Sequence, residues 1–195
     1  MYSFKIGGIR FHISVLFPAV FLFLWYSKSS HTLIDWLVGM TVHECGHLLA
    51  LSCFGSLPED VYISAFGVRF RIAAYERGSH WQDCIVAFAG PLVNFTLAVA
   101  FAFLGDSSLA AAHASLGIIN VLPIYPLDGE RILRAVLMGV LKPTAVECVM
   151  EIMFWCVWIV LSFLGITILC PPYSNGSLLF FASYVGISAL LHKGN

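Results

Sequence analysis

Charge is what this sequence has least of. Across 195 residues there are 10 Lys plus Arg and 11 Asp plus Glu, or 11% charged, against about 25% in a typical soluble domain. So few ions cannot give a soluble globule a hydrated surface. A formal net charge of −1 supplies no basic face for nucleic acid, so no nucleic-acid partner is expected. A hydrophobic content of 59% excludes a disordered chain. The six cysteines, Cys45, Cys53, Cys84, Cys148, Cys156 and Cys170, include no C-x-x-C pair. That argues against a disulfide framework, and the thiols are read as small buried hydrophobes. Internal repeats and low-complexity tracts are also missing. The first apolar run has no small-residue cleavage site after it, so it is read as a retained span, not a signal peptide.

What the chain has is long apolar runs. They predict an all-α polytopic membrane protein of about six transmembrane helices, with a small β-hairpin after the second, folded as one domain over 1–195. The spans are expected at about Phe11–Tyr26, Leu33–Phe54, Trp81–Leu104, Leu109–Ile124, residue 144 to Leu169, and Leu178–Leu191. The fourth is short and ends in the Pro-rich NVLPIYPLDG, after which Glu130–Leu141 reads as a short amphipathic helix. The hairpin is expected over Val61–Ala73. There Val68, Phe70 and Ile72 alternate with Arg69 and Arg71, giving one wet face. With an inside N-terminus, the inside segments hold Lys5, Arg10, Arg69, Arg71, Arg77, Arg131, Arg134, Lys142 and Lys193, and only Lys28 falls outside. Cytoplasmic loops carry such an excess, so both termini and the hairpin are expected in the cytoplasm.

The sharpest chemical signal is His43-Glu44-Cys45-Gly46-His47. On a helix, residues i and i+4 share a face about 6 Å apart. Two imidazoles so placed can hold one Zn²⁺, with Glu44 beside it as general base. By composition alone this spacing arises in roughly 1% of such chains. Its setting is more telling still, because three ionisable groups inside an apolar span are costly unless they line a cavity or bind something.

Two histidines do not complete a catalytic zinc site, which commonly has three protein ligands. Asp128 of PLDG is the best third candidate. Asn120, Pro123 and Pro126 break the span just before it, and irregular backbone at membrane depth survives only beside protein or a cavity. Glu130 is the nearby competitor. Asp35 lies eight residues before His43, too far along the helix to share the ion. His113 sits in an apolar run without a motif partner and is read as a packing side chain. His12, His31, His80 and His192 fall at expected span ends.

Three motifs in this order resemble the site-2 protease family of intramembrane zinc metalloproteases. HECGH matches the HExxH of the second core span. Gly90-Pro91-Leu92-Val93-Asn94 matches a central Gly-Pro-x-x-Asn element, and Asn120–Gly129 matches the Asn-x-x-Pro…Asp-Gly element. The likeness covers most of residues 35–140, with a catalytic core at about 33–141. In size the chain is similar to the sporulation factor IVFB branch, which commonly carries a cytoplasmic CBS domain. No such domain, and no inserted PDZ-like domain, is expected here.

The resemblance implies one Zn²⁺ per chain held by His43, His47 and Asp128, and Glu44 as the base that activates water. It implies that Asn94 and Asn120 meet the substrate backbone or steady the oxyanion. The implied activity is endopeptidase cleavage of transmembrane or membrane-associated proteins within or near the bilayer. Regulatory membrane proteins are possible partners, and the implied location is a bacterial cytoplasmic membrane. The hairpin can take an unwound substrate segment as an added strand. Asn94-Phe95-Thr96 and Asn175-Gly176-Ser177 also fit a glycosylation pattern, but the first lies in a span and the second matters only in a glycosylating secretory pathway.

Overall fold

A computed structural model describes residues 2–6, 8–13, 30–56, 58–64, 67–71, 79–171 and 175–193. Most of these residues are helical. In chain order the elements are β1 (Tyr2–Ile6), β2 (Ile9–Ile13), α1 (Ser30–Cys53), β3 (Asp60–Ser64), β4 (Gly67–Arg71), α2 (His80–Phe103), α3 (Ser107–Val121), α4 (Asp128–Met138), α5 (Pro143–Leu169) and α6 (Ser177–Lys193). The second to sixth expected spans therefore correspond to α1, α2, α3, α5 and α6, and the expected amphipathic helix is α4. Two of them, α2 and α5, are long and apolar enough to cross a membrane, while α3 and α6 are shorter apolar helices.

The expectation of a lone hairpin is corrected. β3 and β4 do pair antiparallel, but within a four-stranded sheet of order β1-β2-β3-β4. β1 and β2 form a second antiparallel hairpin, and β2 runs parallel to β3 in the register Phe11↔Val61. A parallel pair needs a crossover connection, and α1 lies in the connecting chain. Residues 11–13, taken as the start of the first span, are thus strand. The rest of that span, 14–26, lies outside the described residues. The missed signal is Gly7-Gly8 between Tyr2, Phe4, Ile6 and Ile9, Phe11, Ile13, a hairpin pattern of alternating apolar residues around a turn dipeptide. Accordingly His12 is a strand residue. Its ring stacks on Tyr62 at 4.6 Å, and its Nε2 lies 3.1 Å from the buried Asp60 carboxylate. Arg10 also pairs with that carboxylate, at 2.7 Å.

The chain forms two compact units, Met1–Ile118 and Ile119–Asn195, the division falling within α3. In the first, α1 packs on α2. Its buried residues include Leu51, Val61, Val86, Ala87, Ala98, Ala112 and Leu116, together with the polar His43, His47, Asn94 and His113. In the second, α5 packs on α6, the buried residues include Val146, Met150, Ala182 and Val185, and the Trp158 indole N–H donates to the Ala182 carbonyl at 2.9 Å. The thiols are not the buried hydrophobes expected. Cys45, Cys53, Cys148, Cys156 and Cys170 are exposed and Cys84 half-buried, all as free cysteines. On an apolar helix within a bilayer, an outward thiol costs little, because hydrocarbon takes the place of the protein interior as its apolar medium.

Candidate metal centre

The centre starts from the helical repeat of α1. His43 and His47 are four residues apart and buried, and their rings meet edge to face with centroids 4.8 Å apart. The two Nε2 atoms lie 3.1 Å from each other. Ligand nitrogens at about 2.0–2.1 Å from one tetrahedral zinc stand about 3.3 Å apart. The pair is therefore spaced as two donors to a single ion would be.

The outer nitrogens of this pair are met by groups on α2. The His47 Nδ1–H donates to the Val86 carbonyl at 2.7 Å. A carbonyl can only accept, so the proton of neutral His47 sits on Nδ1 and Nε2 keeps a lone pair. Asn94 Nδ2 lies 3.0 Å from His43 Nδ1. Between Val86 and Asn94 come Gly90 and Pro91. A Cβ built on Gly90 would lie 2.5 Å from His47 Nε2 and 2.8 Å from His43 Cε1. Both imidazoles lie against bare backbone there, and only glycine leaves them room. Pro91 brings no N–H to its own turn of α2.

Asn94, expected at the substrate, has its amide engaged by histidines. Its Oδ1 is 3.1 Å from His113 Nδ1, and both side chains are fully buried. His113 is the residue that sequence reasoning undervalued. Nothing adjacent in the chain marks it, because its partner is on another helix nineteen residues away. Glu44 follows His43 on α1 and is half-buried. Asp35 is bonded by Ser108 at the start of α3 and takes no part in the histidine pair.

In the second unit, Asp128 is the first residue of α4 and half-buried. Arg131 stands 3.7 Å from its carboxylate, a loose ion pair. Glu130, the competing ligand, is held far more closely. It accepts from the Arg134 Nε–H at 2.7 Å, and Arg134 also bonds Glu147 of α5. Gly129 is buried where a Cβ would collide with the backbone carbonyls of Val121 and Leu122. The start of α4 therefore folds tightly back on the end of α3, which is why the aspartate is followed by glycine. Asn120, one residue before the end of α3, is half-buried.

No family model matches the chain. It is 28% identical over 168 residues to a zinc metalloprotease of Methanocaldococcus jannaschii, covering 73% of this chain and 48% of the relative. Stage IV sporulation protein FB of Bacillus subtilis is 27% identical over 106 residues, covering 50% of this chain and 37% of that protein. The chain thus spans about half, or less, of the length of these curated relatives. The solved structure of a site-2 protease from M. jannaschii superposes with a TM-score of 0.68 at 22% identity, covering 94% of this chain and 92% of that one. The resemblance to the site-2 protease family read from the three motifs is borne out by these relatives and by this shared fold.

Proposed function

We propose that this chain, built on the fold of a site-2 protease, is an intramembrane zinc endopeptidase. It cleaves transmembrane or membrane-associated proteins within or near the bilayer, as in regulated intramembrane proteolysis. The observation that carries the reading is the pair of buried Nε2 atoms, 3.1 Å apart, with the Nδ1 of His47 committed to a carbonyl. In this reading His43, His47 and Asp128 hold one Zn²⁺ per chain. Glu130 is engaged by Arg134 at 2.7 Å, which argues against it as the carboxylate ligand.

Zinc, when bound, supplies Lewis acidity toward the scissile carbonyl and lowers the pKa of water. The residues do the rest. Glu44 takes a proton from the attacking water and returns it to the leaving amine. Asn120 meets the substrate backbone, and Asn94, the second asparagine in that expectation, is taken up below. The buried setting of the histidines excludes bulk water, which strengthens each of these interactions.

Six membrane spans with both termini in the cytoplasm, one catalytic domain over 1–195 and a core at 33–141 belong to the same reading. It also places the protein in a bacterial cytoplasmic membrane, with regulatory membrane proteins as partners. The sheet order leaves β4 at an edge, which supports uptake of an unwound substrate as an added strand. Tags at residue 1, near Arg77 and at residue 195 should report cytoplasm, and tags in 105–108 and 171–176 the far side. A far-side signal near Arg77 breaks the six-span scheme.

The deciding experiment measures zinc in the purified protein beside cleavage of co-expressed single-span substrates. His43→Ala and Asp128→Ala should lose both metal and activity. Glu130→Ala should keep its zinc. Full occupancy in Asp128→Ala would remove that residue from the ligand set.

A further inference from the structure

A buried polar relay leaves the histidine pair and ends in α3. From one end, His47 Nδ1 meets the Val86 carbonyl at 2.7 Å and His47 Nε2 meets His43 Nε2 at 3.1 Å. His43 Nδ1 then meets the Asn94 amide at 3.0 Å, and the other end of that amide meets His113 Nδ1 at 3.1 Å. Asn94 and His113 are 0% exposed. His113 stacks on Phe101 with centroids 5.5 Å apart, and its Nε2 is buried without a hydrogen-bond partner among the described residues.

Donors and acceptors close along this relay in two polarities. In the first, His113 Nδ1–H donates to Asn94 Oδ1, Asn94 Nδ2–H donates to His43 Nδ1, and His43 Nε2–H points at the His47 lone pair. In the second, the amide is turned end for end. Oδ1 accepts from His43 Nδ1–H, and Nδ2–H donates to His113 Nδ1. The proton of His43 has then moved from Nε2 to Nδ1, and that of His113 from Nδ1 to Nε2. Each ring stays neutral, and the relay gains and loses no proton. Only the second polarity leaves lone pairs on both Nε2 atoms, which a shared metal ion requires.

We propose that His113 is a positioning residue for the metal centre. With the ion bound, it holds the Asn94 amide turned end for end from the orientation seen here, Oδ1 toward His43, so that His43 is an Nδ1–H, Nε2-ligating imidazole. This rests on the zinc reading above. An imidazole suits the place because, with its proton on Nε2, its Nδ1 accepts from the Asn94 Nδ2–H and so leaves Oδ1 turned to His43. An apolar side chain there strands half of a buried amide, which then has no anchor from which to orient His43. Such outer partners of a ligating histidine typically govern metal affinity by about 10–100-fold.

The test uses the full-length protein in detergent. Zinc affinity is read by competition with a chromophoric chelator, and ligand geometry by the visible spectrum of the Co²⁺-loaded protein. His113→Leu should weaken zinc about 10–100-fold and shift the Co²⁺ bands. His113→Asn, whose amide also donates or accepts near the Nδ1 position, should return affinity to within a few-fold of wild type. Nitrogen NMR of the imidazoles in zinc-loaded wild type should find His43 protonated on Nδ1, a measurement that does not depend on whether His113→Leu folds. Wild-type affinity and an unchanged Co²⁺ spectrum in His113→Leu overturn the proposal, as does a zinc-loaded His43 protonated on Nε2. Wild-type protein that binds no zinc at all overturns the protease reading itself, a result distinct from either.

Discussion

Helices α2 and α5 look alike by hydropathy, and both are long enough to cross a membrane. Their inward faces differ. α5 buries Val146, Met150 and Gly165, and the rest of its length is mostly outward-facing apolar side chain. α2 buries Val86, Ala87, Gly90, Pro91, Asn94 and Ala98. These recur at helical spacing along one face, and three of them have defined contacts with His43 or His47. Apolar length makes a helix able to cross a membrane. A few small and polar positions on one stripe give it a task, because lipid offers no drive for helix pairing beyond packing and hydrogen bonds.

The comparison is sharpened most by separating the proposed base, Glu44, from the proposed ligands, His43 and His47, on α1, the helix that α2 packs against. Glu44→Gln keeps size and hydrogen bonding but cannot accept a proton. It should retain wild-type zinc and still capture substrate, while cleavage falls by about 10²–10⁴-fold. Turnover within a few-fold of wild type would end the hydrolase reading.

The next effect falls on the stripe itself. Gly90→Ala puts a methyl 2.5 Å from His47 Nε2, so one imidazole must move off its position. Zinc affinity should drop about as much as on losing a hydrogen-bond partner of a ligating histidine, about 10–100-fold, with the protein still folded by circular dichroism. Unchanged affinity would mean that the histidines are held more loosely than their contacts with α2 indicate.

How much of this was legible follows from the distance over which each signal acts. HECGH declares itself because its partners are four residues apart on one helix. The β3–β4 hairpin declared itself through alternation. Gly90 and Gly129 were visible as motif letters, but the reasons they are glycine are tertiary: one lies beneath two rings, the other against two carbonyls. The β1–β2 hairpin was hidden because its residues are as apolar as the run that follows, and the run was read as one span. His113 was hidden for the opposite reason. Its chemistry lies in a bond to Asn94 across two helices, and no local pattern carries that. The cysteines were misplaced because a buried-thiol rule drawn from soluble proteins takes water, not lipid, to be the outside.

On the α5 side, effects should be on stability alone. The Trp158 indole N–H ties α5 to the Ala182 carbonyl of α6 at 2.9 Å. Trp158→Phe keeps an aromatic ring and removes the donor, so it should cost about 1 kcal/mol in reversible unfolding. Zinc affinity should not change.

The smallest effect is expected on the outer face of α5, and that is the strongest check on treating α2 and α5 as different kinds of helix. Ile159 is 58% exposed. In a membrane, the medium outside it is as apolar as the side chain. Truncation to alanine therefore opens no cavity, since lipid or detergent fills the space, and it strands no polar group. None of the mechanisms behind large mutational effects applies. Ile159→Ala should unfold within about 0.5 kcal/mol of wild type, with the same zinc content and the same Co²⁺ spectrum. If it instead lowers metal affinity as Gly90→Ala is expected to, the outer face of α5 is engaged by something other than lipid, and the division of labour between the two helices fails.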